Sequence, residues 1–186
     1  MTRASDLLAA FHGGVRVNHH DPRARARLRA IKIAPCDACD GRFLPSDDGF
    51  LAYVTVVHAG IAGHVIDLVA WRPDDPSMWW LWSGAVSVLG QRSLDVDSLD
   101  DGPILVHPNP ADWLEGCYEA SDTGRRDDAN VCVVAWDDPA AVRLAFAAAR
   151  HRRVICTDIA TAERLAGALT PPVERWDIHV LVKEGR

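Results

Sequence analysis

The C-terminal part of the sequence alternates short apolar runs with helical segments, and this alternation limits the fold more than any other feature. Three apolar runs have the length of strands: VCVVAW, RVICT and WDIHVLV. Two helical segments lie between them, PAAVRLAFAAAR after the first run and IATAERLAGAL after the second. Asp158 stands immediately before the second helical segment, where it can cap that helix. Strands and helices in this order predict parallel strands joined by right-handed crossovers. The C-terminal half is therefore predicted to be a small α/β unit with a three-stranded parallel βαβαβ sheet.

The N-terminal half is predicted to be α+β and rich in hairpins. RFLPSDDGFLAYVTVVHAG alternates in the manner of a hairpin whose turn is residues 45–49, and HVIDLVAW adds a strand or a helix start. SMWWLWSGAVSVLG follows Pro76 and is predicted to be a helix that ends at Gly90. An acidic loop, SLDVDSLDDG, comes next. We therefore predict a basic, β-rich region at residues 1–93 packed on an α/β region at residues 94–186, as two regions or as one compact unit.

Charge is unevenly distributed along the chain. The net charge is −6, which argues against a protein whose whole surface grips nucleic acid, because phosphate binding needs a positive field. Residues 1–35 nevertheless carry seven basic and two acidic side chains. Within DPRARARLRAIK, Asp21 can cap a helix that begins at Pro22. The segment is either a solvated helix face or a contact for phosphate or an acidic partner, and its candidate nucleic-acid ligands are Arg23, Arg25, Arg27 and Arg29.

A Cys-x-x-Cys pair, Cys36 and Cys39, lies in the turn-like stretch APCDACDGRF. Tetrahedral zinc needs four ligands, and His58 and His64 are the histidines in the same β-rich region that could complete the set. One structural zinc held by these four residues is a hypothesis; a turn without metal and a redox pair are the alternatives. The other cysteines lie in apolar runs, which is typical of buried thiols in a reducing compartment, and we expect a cytoplasmic protein.

Three tryptophans fall within four positions of the predicted helix. Residues two apart on a helix point well away from each other, so they cannot all face one core. We expect Trp79 and Trp82 to pack inside and Trp80 to lie on a second surface. That surface meets either the other half of the protein, a protein partner, or a stacked base or sugar.

The order of CDAC, a hairpin and AGHVIDLVAW is similar to the zinc ribbon of bacterial DNA primases. When GHVIDLV is aligned with the corresponding segment of that family, the family's second cysteine pair falls on Val56 and Ala59 of this chain. The resemblance therefore implies a ribbon without a complete zinc site. The second half resembles a shortened Toprim domain, which implies acidic positions at Glu119 and Asp158. Ala160 stands where that family has the second aspartate of its Asp-x-Asp pair, so the acidic site is degenerate.

These observations favour a non-catalytic accessory or binding module linked to nucleic-acid metabolism. One alternative is a remnant of a metal-dependent nuclease or primase-like enzyme that uses Glu119 and Asp158. Another is an inhibitor-like protein-binding module that acts through its acidic surface and Trp80. Asp137 and Asp138 precede Pro139, so one of them, like Asp158, has a plain role as a helix cap. We therefore expect no nuclease, primase or topoisomerase-like activity with Mg²⁺ or Mn²⁺. No apolar run is long enough to suggest a membrane span.

Overall fold

The computed structural model of the chain describes residues 4–18, 27–36, 41–59, 64–95, 102–123, 128–170 and 178–180. The chain divides into two compact units, Met1–Val86 and Ser87–Arg186. The boundary falls just after the tryptophan-rich segment and before the acidic loop. None of the helices in the described ranges combines the length and the apolar character needed to cross a bilayer.

The N-terminal unit is built from one helix and a set of short strands. They are α1 (Ala4–Gly13), β1 (Val15–Arg16), β2 (Arg29–Cys36), β3 (Arg42–Pro45), β4 (Phe50–Ala59), β5 (His64–Trp71) and β6 (Trp79–Leu81). Strand β2 pairs with β1, β3 and β4; β4 pairs with β5, β5 with β6, and β6 with β3. The pairings of β2, β3, β6, β5 and β4 therefore form a closed circuit, in which β3 and β6 are parallel and the other pairs antiparallel.

Residues 45–49 contain a turn, but the strands on either side of it do not pair with each other. Both strands pair with β2, and Ile33 is the partner of Pro45 in β3 and of Phe50 in β4. Gly49 N donates to Ser46 O across the turn at 3.1 Å. A Cβ on Gly49 would lie 2.1 Å from the Ile33 carbonyl oxygen, so this approach requires glycine. The predicted hairpin is therefore wrong in its pairing, because alternation indicates strands but does not identify their partners.

The tryptophan-rich segment is a strand followed by a loop, and the helix predicted there is wrong. Trp79 and Trp80 belong to β6 and pair with Trp71 and Ala70 of β5. Gly84 and Gly90 have φ values of 66° and 76°, in the left-handed region that does not continue a helix. Large aromatic side chains fit the surface of a sheet well, so their density favours a strand here.

The core of the N-terminal unit lies between α1 and the strands. Leu7 and Phe11 of α1 are buried against a cluster from β2, β3, β4 and β5: Ile33, Phe43, Ala52, Val54, Leu68 and Ala70. Trp80 and Trp82 are partly buried and pack against the same cluster. Their rings contact Phe50 and Phe43, with centroids 5.2 and 5.4 Å apart.

Asp67, in the middle of β5, is a fully buried carboxylate. Its Oδ1 accepts hydrogen bonds from Leu68 N at 2.8 Å and Ser83 N at 2.9 Å, and its Oδ2 accepts one from Ala85 N at 2.9 Å. A buried charge is costly unless its hydrogen-bonding capacity is filled, and three backbone amides fill it here. Asp67 thereby attaches the loop at residues 83–85 to β5.

The C-terminal unit is an α/β sheet, as the sequence predicted. Its elements are β7 (Val88–Leu89), α2 (Arg92–Asp95), β8 (Ile104–Val106), α3 (Pro110–Asp122), β9 (Ala129–Val133), α4 (Pro139–Phe146), a 3-10 turn (Ala147–Ala149), β10 (Val154–Cys156), α5 (Ile159–Leu169) and β11 (Ile178–Val180). The strand order is β11, β10, β8, β9, β7. The first four are parallel, and β7 is antiparallel to β9. The prediction of three strands was too small, because it included β9, β10 and β11 and omitted β7 and β8.

Each of the three long helices of this unit begins at a capping side chain. Asn109, Asp138 and Asp158 accept hydrogen bonds from Asp112 N, Ala141 N and Thr161 N, respectively. These caps confirm the positions read from the sequence for Asn109 and Asp158, and they select Asp138 over Asp137. Helices α4 and α5 pack with each other on one face of the sheet. Because parallel crossovers are right-handed and β8 to β9 runs in the opposite direction along the sheet, α3 covers the other face.

Arg152 is a buried cation that binds backbone carbonyl groups of the C-terminal unit. Its Nε donates to Gly102 O at 2.7 Å, its Nη1 to Ser93 O at 3.1 Å and its Nη2 to Pro103 O at 3.4 Å. Gly102 and Pro103 lead into β8, and Ser93 belongs to α2. Arg152 therefore holds the entry to the central strand beside α2.

Candidate functional site

A cleft of about 610 Å³ lies in the C-terminal unit between α3 and one face of the sheet. We call it the α3 cleft, and its lining residues are Leu105, His107, Pro108, Asp112, Glu115, Gly116, Glu119, Ala120, Thr123, Asp128, Asn130, Thr157 and Asp158. One end lies where β8 and β10 end, and the other lies beside Asp128, which precedes β9. The cleft therefore extends along α3 from one edge of the sheet towards the other.

Helix α3 lines the cleft with a single stripe of side chains. Its lining positions are 112, 115, 116, 119, 120 and 123, spaced by three or one in the way that repeats on one helix face. Trp113, Leu114 and Tyr118 on the remaining surface are buried. Trp113 Nε1 donates to Asn130 O at 3.0 Å. The helix is thus fixed to the sheet by its apolar side chains, and its acidic stripe faces the cleft.

The inner wall of the cleft contains a buried polar pair. His107 Nε2 and Asn130 Oδ1 are 2.8 Å apart, and both side chains are more than nine-tenths buried. Gly116 packs directly over them, because a Cβ at this position would lie 2.5 Å from His107 Cε1 and 2.8 Å from Asn130 Oδ1. Glycine in the interior of a helix lowers its stability, so its presence here is explained by this close approach.

Asp158 lines the same cleft and uses only one of its carboxylate oxygens. Oδ1 accepts the capping hydrogen bond from Thr161 N at 2.8 Å. Oδ2 is buried and has no hydrogen-bond partner among the described residues. A buried polar atom without a partner is unfavourable and is commonly satisfied by water, an ion or a ligand. Asp158 therefore retains a hydrogen-bonding capacity that its role as a cap does not fill.

The position of the cleft agrees with the topology of the sheet. From β8 the chain passes through α3 to β9 on one side, and from β10 it passes through α5 to β11 on the other. Strands β8 and β10 are neighbours, and His107 and Thr157 follow them directly. In open α/β sheets, ligands bind outside the carboxyl ends of the strands at such a switch point.

The charge of the cleft is strongly negative. Among the described residues that line it, five are carboxylates, at Asp112, Glu115, Glu119, Asp128 and Asp158, and none is a lysine or arginine. Such a lining attracts cations and repels phosphate groups. Within the described ranges, no three histidine, cysteine or carboxylate side chains converge closely enough to hold one metal ion. The negative charge is therefore distributed along the cleft.

The acidic residues implied by the Toprim resemblance are brought together in this cleft. Glu119 lies on the α3 stripe and Asp158 follows β10, and both line the cavity. His107, Gly116 and Asn130 were missed by the sequence analysis. A glycine inside a helical pattern was the available signal, since such a glycine commonly marks a close approach of two elements.

Of the four candidate zinc ligands, Cys36, His58 and His64 are among the described residues, and all three belong to the N-terminal unit. Cys36 ends β2 and is disulfide-bonded, and Cys39 lies outside the described residues. His58 pairs with Val65, and His64 pairs with Ala59. Paired residues share a face and successive residues alternate, so the two histidines project from opposite faces of the β4–β5 hairpin. Zinc binding by the reduced protein stays a prediction.

The candidate nucleic-acid ligands are also distributed. Arg23 and Arg25 lie outside the described residues, and Arg27 is exposed. Arg29 is buried; its Nη1 donates to Leu28 O at 2.8 Å and its guanidinium lies 4.8 Å from the centre of the Phe11 ring. That burial disfavours a phosphate contact by Arg29. Trp80, the candidate partner contact, packs on Phe50.

Two cysteines of the C-terminal unit are inert structural groups. Burial raises the pKa of the Cys156 thiol to about 12, and the nearby Asp158 carboxylate raises it in the same direction. Burial also raises the pKa of the Cys132 thiol, with a smaller effect from Asp112. Both side chains are fully buried. Protonated, inaccessible thiols are poor nucleophiles, so neither residue is a candidate for covalent catalysis.

No family model and no curated protein matches the chain. Among solved structures, the chain is similar to the crystal structure of the primase fragment of the bacteriophage T7 primase-helicase protein, with 16% sequence identity and a TM-score of 0.45. The match covers 76% of this chain and 57% of that fragment, so the chain spans a little over half of the fragment's length. This is a weak structural resemblance, and a TM-score of 0.45 does not establish a shared fold.

Proposed function

We propose that the protein is a non-catalytic accessory or binding module and that the α3 cleft is its ligand site. The observation that carries this proposal is the coincidence of the cavity with the switch point of the parallel sheet. The cavity volume of about 610 Å³ is typical of small-molecule sites, which span roughly 300 to 1,000 Å³. Its wall is fixed by the buried pair of His107 and Asn130, so the cleft is largely preformed.

The helix caps support a binding role over a catalytic one. Asp138 and Asp158 each direct a carboxylate oxygen to a backbone amide of the helix that follows. Metal-dependent phosphoryl chemistry needs several carboxylates that converge on the ion. Because these carboxylates already accept the capping hydrogen bonds of helices, they are less available to coordinate a metal ion. Asp158 nevertheless keeps one oxygen that its cap does not use.

The test is a screen of thermal stabilisation with small molecules of mixed charge. Ala120→Leu places a larger side chain in the cleft, and Ala140→Leu is the matched control on the exposed surface of α4. We expect some compounds to raise the Tm of the wild-type and Ala140→Leu proteins and to leave that of Ala120→Leu unchanged. A ligand at 100 times its Kd adds about 2.7 kcal/mol of stability. If no compound stabilises the protein, or if Ala120→Leu responds like the wild type, the proposal is wrong.

A metal-dependent nuclease or primase-like enzyme is the second candidate, and the placement of Glu119 and Asp158 in one cleft favours it. The test measures strand cleavage and primer synthesis with Mg²⁺ and Mn²⁺. Asp158→Asn is the informative variant, because asparagine caps a helix as well as aspartate does. Activity that Asp158→Asn abolishes would make this candidate the first choice.

The proposed link to nucleic-acid metabolism concerns the N-terminal unit, because the lining of the α3 cleft repels phosphate. Weak binding carried by Arg23, Arg25 and Arg27 would weaken equally for all sequences when these three residues are neutralised together, with the buried Arg29 left unchanged. The slope of log affinity against log salt measures the number of phosphate contacts. A slope near zero would leave the inhibitor-like protein-binding role, through the acidic surface and Trp80, as the better account.

A further inference from the structure

Asp158 lines the α3 cleft, and one of its carboxylate oxygens has an unfilled capacity to accept a hydrogen bond. Asp158 Oδ2 is buried and has no donor among the described residues, although Oδ1 is bonded to Thr161 N. A carboxylate oxygen accepts hydrogen bonds and does not donate them when it is ionised. The missing partner is therefore an N–H or O–H donor or a cation, and a charge-assisted hydrogen bond to an ammonium group fits best in a cleft of this charge.

The carboxylates of the cleft are spread along a line. Asp112 and Glu119 lie on the same stripe of α3, seven residues apart, which corresponds to about 10 Å along the helix axis. Within the described part of the chain, these carboxylates do not converge as a group of three on one point. A point charge such as a divalent metal ion is coordinated by converging oxygens. An elongated ligand with separated positive charges suits this arrangement better.

The cleft also offers apolar surface between its charges. Leu105, Pro108 and Ala120 line it together with the carboxylates. Methylene groups gain about 0.8 kcal/mol each when they are fully transferred from water to an apolar surface. A ligand whose charged groups are joined by methylene chains would therefore satisfy both parts of the lining.

We propose that the α3 cleft binds an aliphatic polyamine, with ammonium groups at Asp158 and Glu119 and methylene segments against Leu105, Pro108 and Ala120. This inference rests on the proposed function, since it names the ligand class of the same site. Asp112 and Glu115 lie on the α3 stripe before Glu119, on the side of the cleft where β8 and β10 end, and receive any further ammonium group. The phosphates of a nucleotide would be repelled by the five carboxylates of the described lining.

The test is a calorimetric titration with spermidine at low ionic strength, for the wild type and three variants. Glu119→Gln and Asp158→Asn each remove one charge from the cleft while preserving side-chain size. Glu163→Gln is the matched control, because Glu163 is exposed on α5, on the opposite face of the sheet. The Tm of each variant is measured first to establish that it folds.

We expect one spermidine per chain in the wild type. Glu119→Gln should weaken binding about fivefold, as for an exposed ion pair. Asp158→Asn should weaken it about tenfold or more, because a buried charged hydrogen bond is lost. Glu163→Gln should leave the affinity within twofold of the wild type. An equal loss in Glu163→Gln and Glu119→Gln would mean diffuse attraction to an acidic surface and would overturn the inference.

Two further results separate this inference from the proposed function. If Mg²⁺ at matched ionic strength displaces spermidine and binds tightly in a manner abolished by Asp158→Asn, the cleft is a metal site and the polyamine assignment is wrong. If spermidine does not bind but neutral or anionic compounds stabilise the wild type and not Ala120→Leu, the ligand class is wrong and the cleft is still a ligand site. If neither spermidine nor any compound binds, the proposed function fails as well.

Discussion

Asp67 of the N-terminal unit and Asp158 of the C-terminal unit are both aspartates, but they differ in how completely their carboxylate oxygens are hydrogen-bonded. Asp67 lies within an antiparallel strand, and both of its oxygens accept hydrogen bonds from backbone amides. Asp158 follows a parallel strand, fills one oxygen by capping a helix and leaves the other without a partner among the described residues. Remaining hydrogen-bonding capacity, more than residue type or burial, therefore separates a candidate ligand contact from a purely structural carboxylate.

The architecture of each unit explains the difference. In the N-terminal unit, neighbouring strands and loops fold back locally, so nearby backbone amides are available to a buried side chain. In the C-terminal unit, the connections leave β8 and β10 in opposite directions. The space at the ends of these strands is therefore not filled by the chain that follows them.

The largest effect is expected for Asp67→Ala. Three backbone amides would lose the buried carboxylate that accepts their hydrogen bonds, and we expect the free energy of unfolding to fall by about 4 kcal/mol. Urea unfolding monitored by circular dichroism measures this change. Asp74→Ala is the control, since Asp74 is exposed and pairs with Arg72 at the surface, and it should change the free energy of unfolding far less than Asp67→Ala. A similar small cost for both variants would remove the structural role assigned to Asp67.

Arg152 has a role in the C-terminal unit that corresponds to that of Asp67 in the N-terminal unit. Its guanidinium group donates hydrogen bonds to backbone carbonyl groups, whereas Asp67 accepts them from backbone amides. Arg152→Met keeps the length of the side chain but leaves the carbonyl groups of Ser93, Gly102 and Pro103 without this partner. We expect a loss of about 3 kcal/mol in urea unfolding. Arg153→Met, at the exposed neighbouring position, should change stability by less than about 0.5 kcal/mol. Equal effects would show that the carbonyl contacts of Arg152 add nothing.

Two glycines in helices of the C-terminal unit should respond to alanine with opposite signs. A Cβ at Gly116 would press on His107 and Asn130, so Gly116→Ala should cost about 2 kcal/mol and distort the α3 cleft. A Cβ at Gly167 meets nothing within 4 Å, so Gly167→Ala should stabilise α5 by up to about 1 kcal/mol. The Tm values of the two variants measure the contrast. Stabilisation by both would mean that α3 does not approach the His107–Asn130 pair as described.

The comparison between the two aspartates can be sharpened with asparagine. Asp158→Asn should leave stability within about 0.5 kcal/mol of the wild type, because asparagine also caps helices, whereas Asp158→Ala should cost about 1 kcal/mol. Asp67→Asn should cost clearly more than Asp158→Asn, since an amide NH₂ cannot accept from backbone N–H groups. Chemical denaturation of the three variants checks the order. A reversal would contradict the roles given to both residues.

A pH-dependent effect is expected at Cys156 and is the smallest of the set near neutral pH. The folded state raises the pKa of this thiol to about 12 from the ordinary 9.0, so the folded state holds the proton more tightly than the unfolded state does. The resulting stability is complete below pH 9 and declines as the pH rises from 9 towards 12. The wild type should therefore lose more stability than Cys156→Ala between pH 7.5 and pH 10. Parallel losses in the two proteins would contradict this.

Much of the C-terminal unit could be predicted from sequence because its signals are local. Asn109, Asp158 and the prolines mark helix starts through contacts within one turn, and VCVVAW and RVICT are apolar enough to be recognised as buried strands. The helix predicted at residues 77–90 failed because strand pairing with β5 overrode the apparent helical stripe. The partners of β3 and β4 could not be predicted, because alternation carries no information about which strand lies alongside.

The candidate site was only half visible in the sequence. Glu119 and Asp158 were suggested by the Toprim resemblance, and the structure places both on the cleft. His107 and Asn130 were not found, because their contact joins residues that are 23 positions apart. Short strands such as β8 carry too few residues for their periodicity to be detected. Long-range contacts between ordinary polar residues leave no local pattern.

Ile33 of β2 pairs with Pro45 of β3 and with Phe50 of β4, so we expect the turn at residues 46–49 to tolerate an inserted peptide. Strand β3 holds its register against one part of β2 and strand β4 against another, so neither depends on the length of chain between them. Gly49 and Ser46 anchor the turn, whereas Asp47 and Asp48 form its tip. A peptide tag or a fluorescent label introduced between these two aspartates could extend outward while both registers are kept. The N-terminal unit could thus carry a reporter far along the sequence from the α3 cleft.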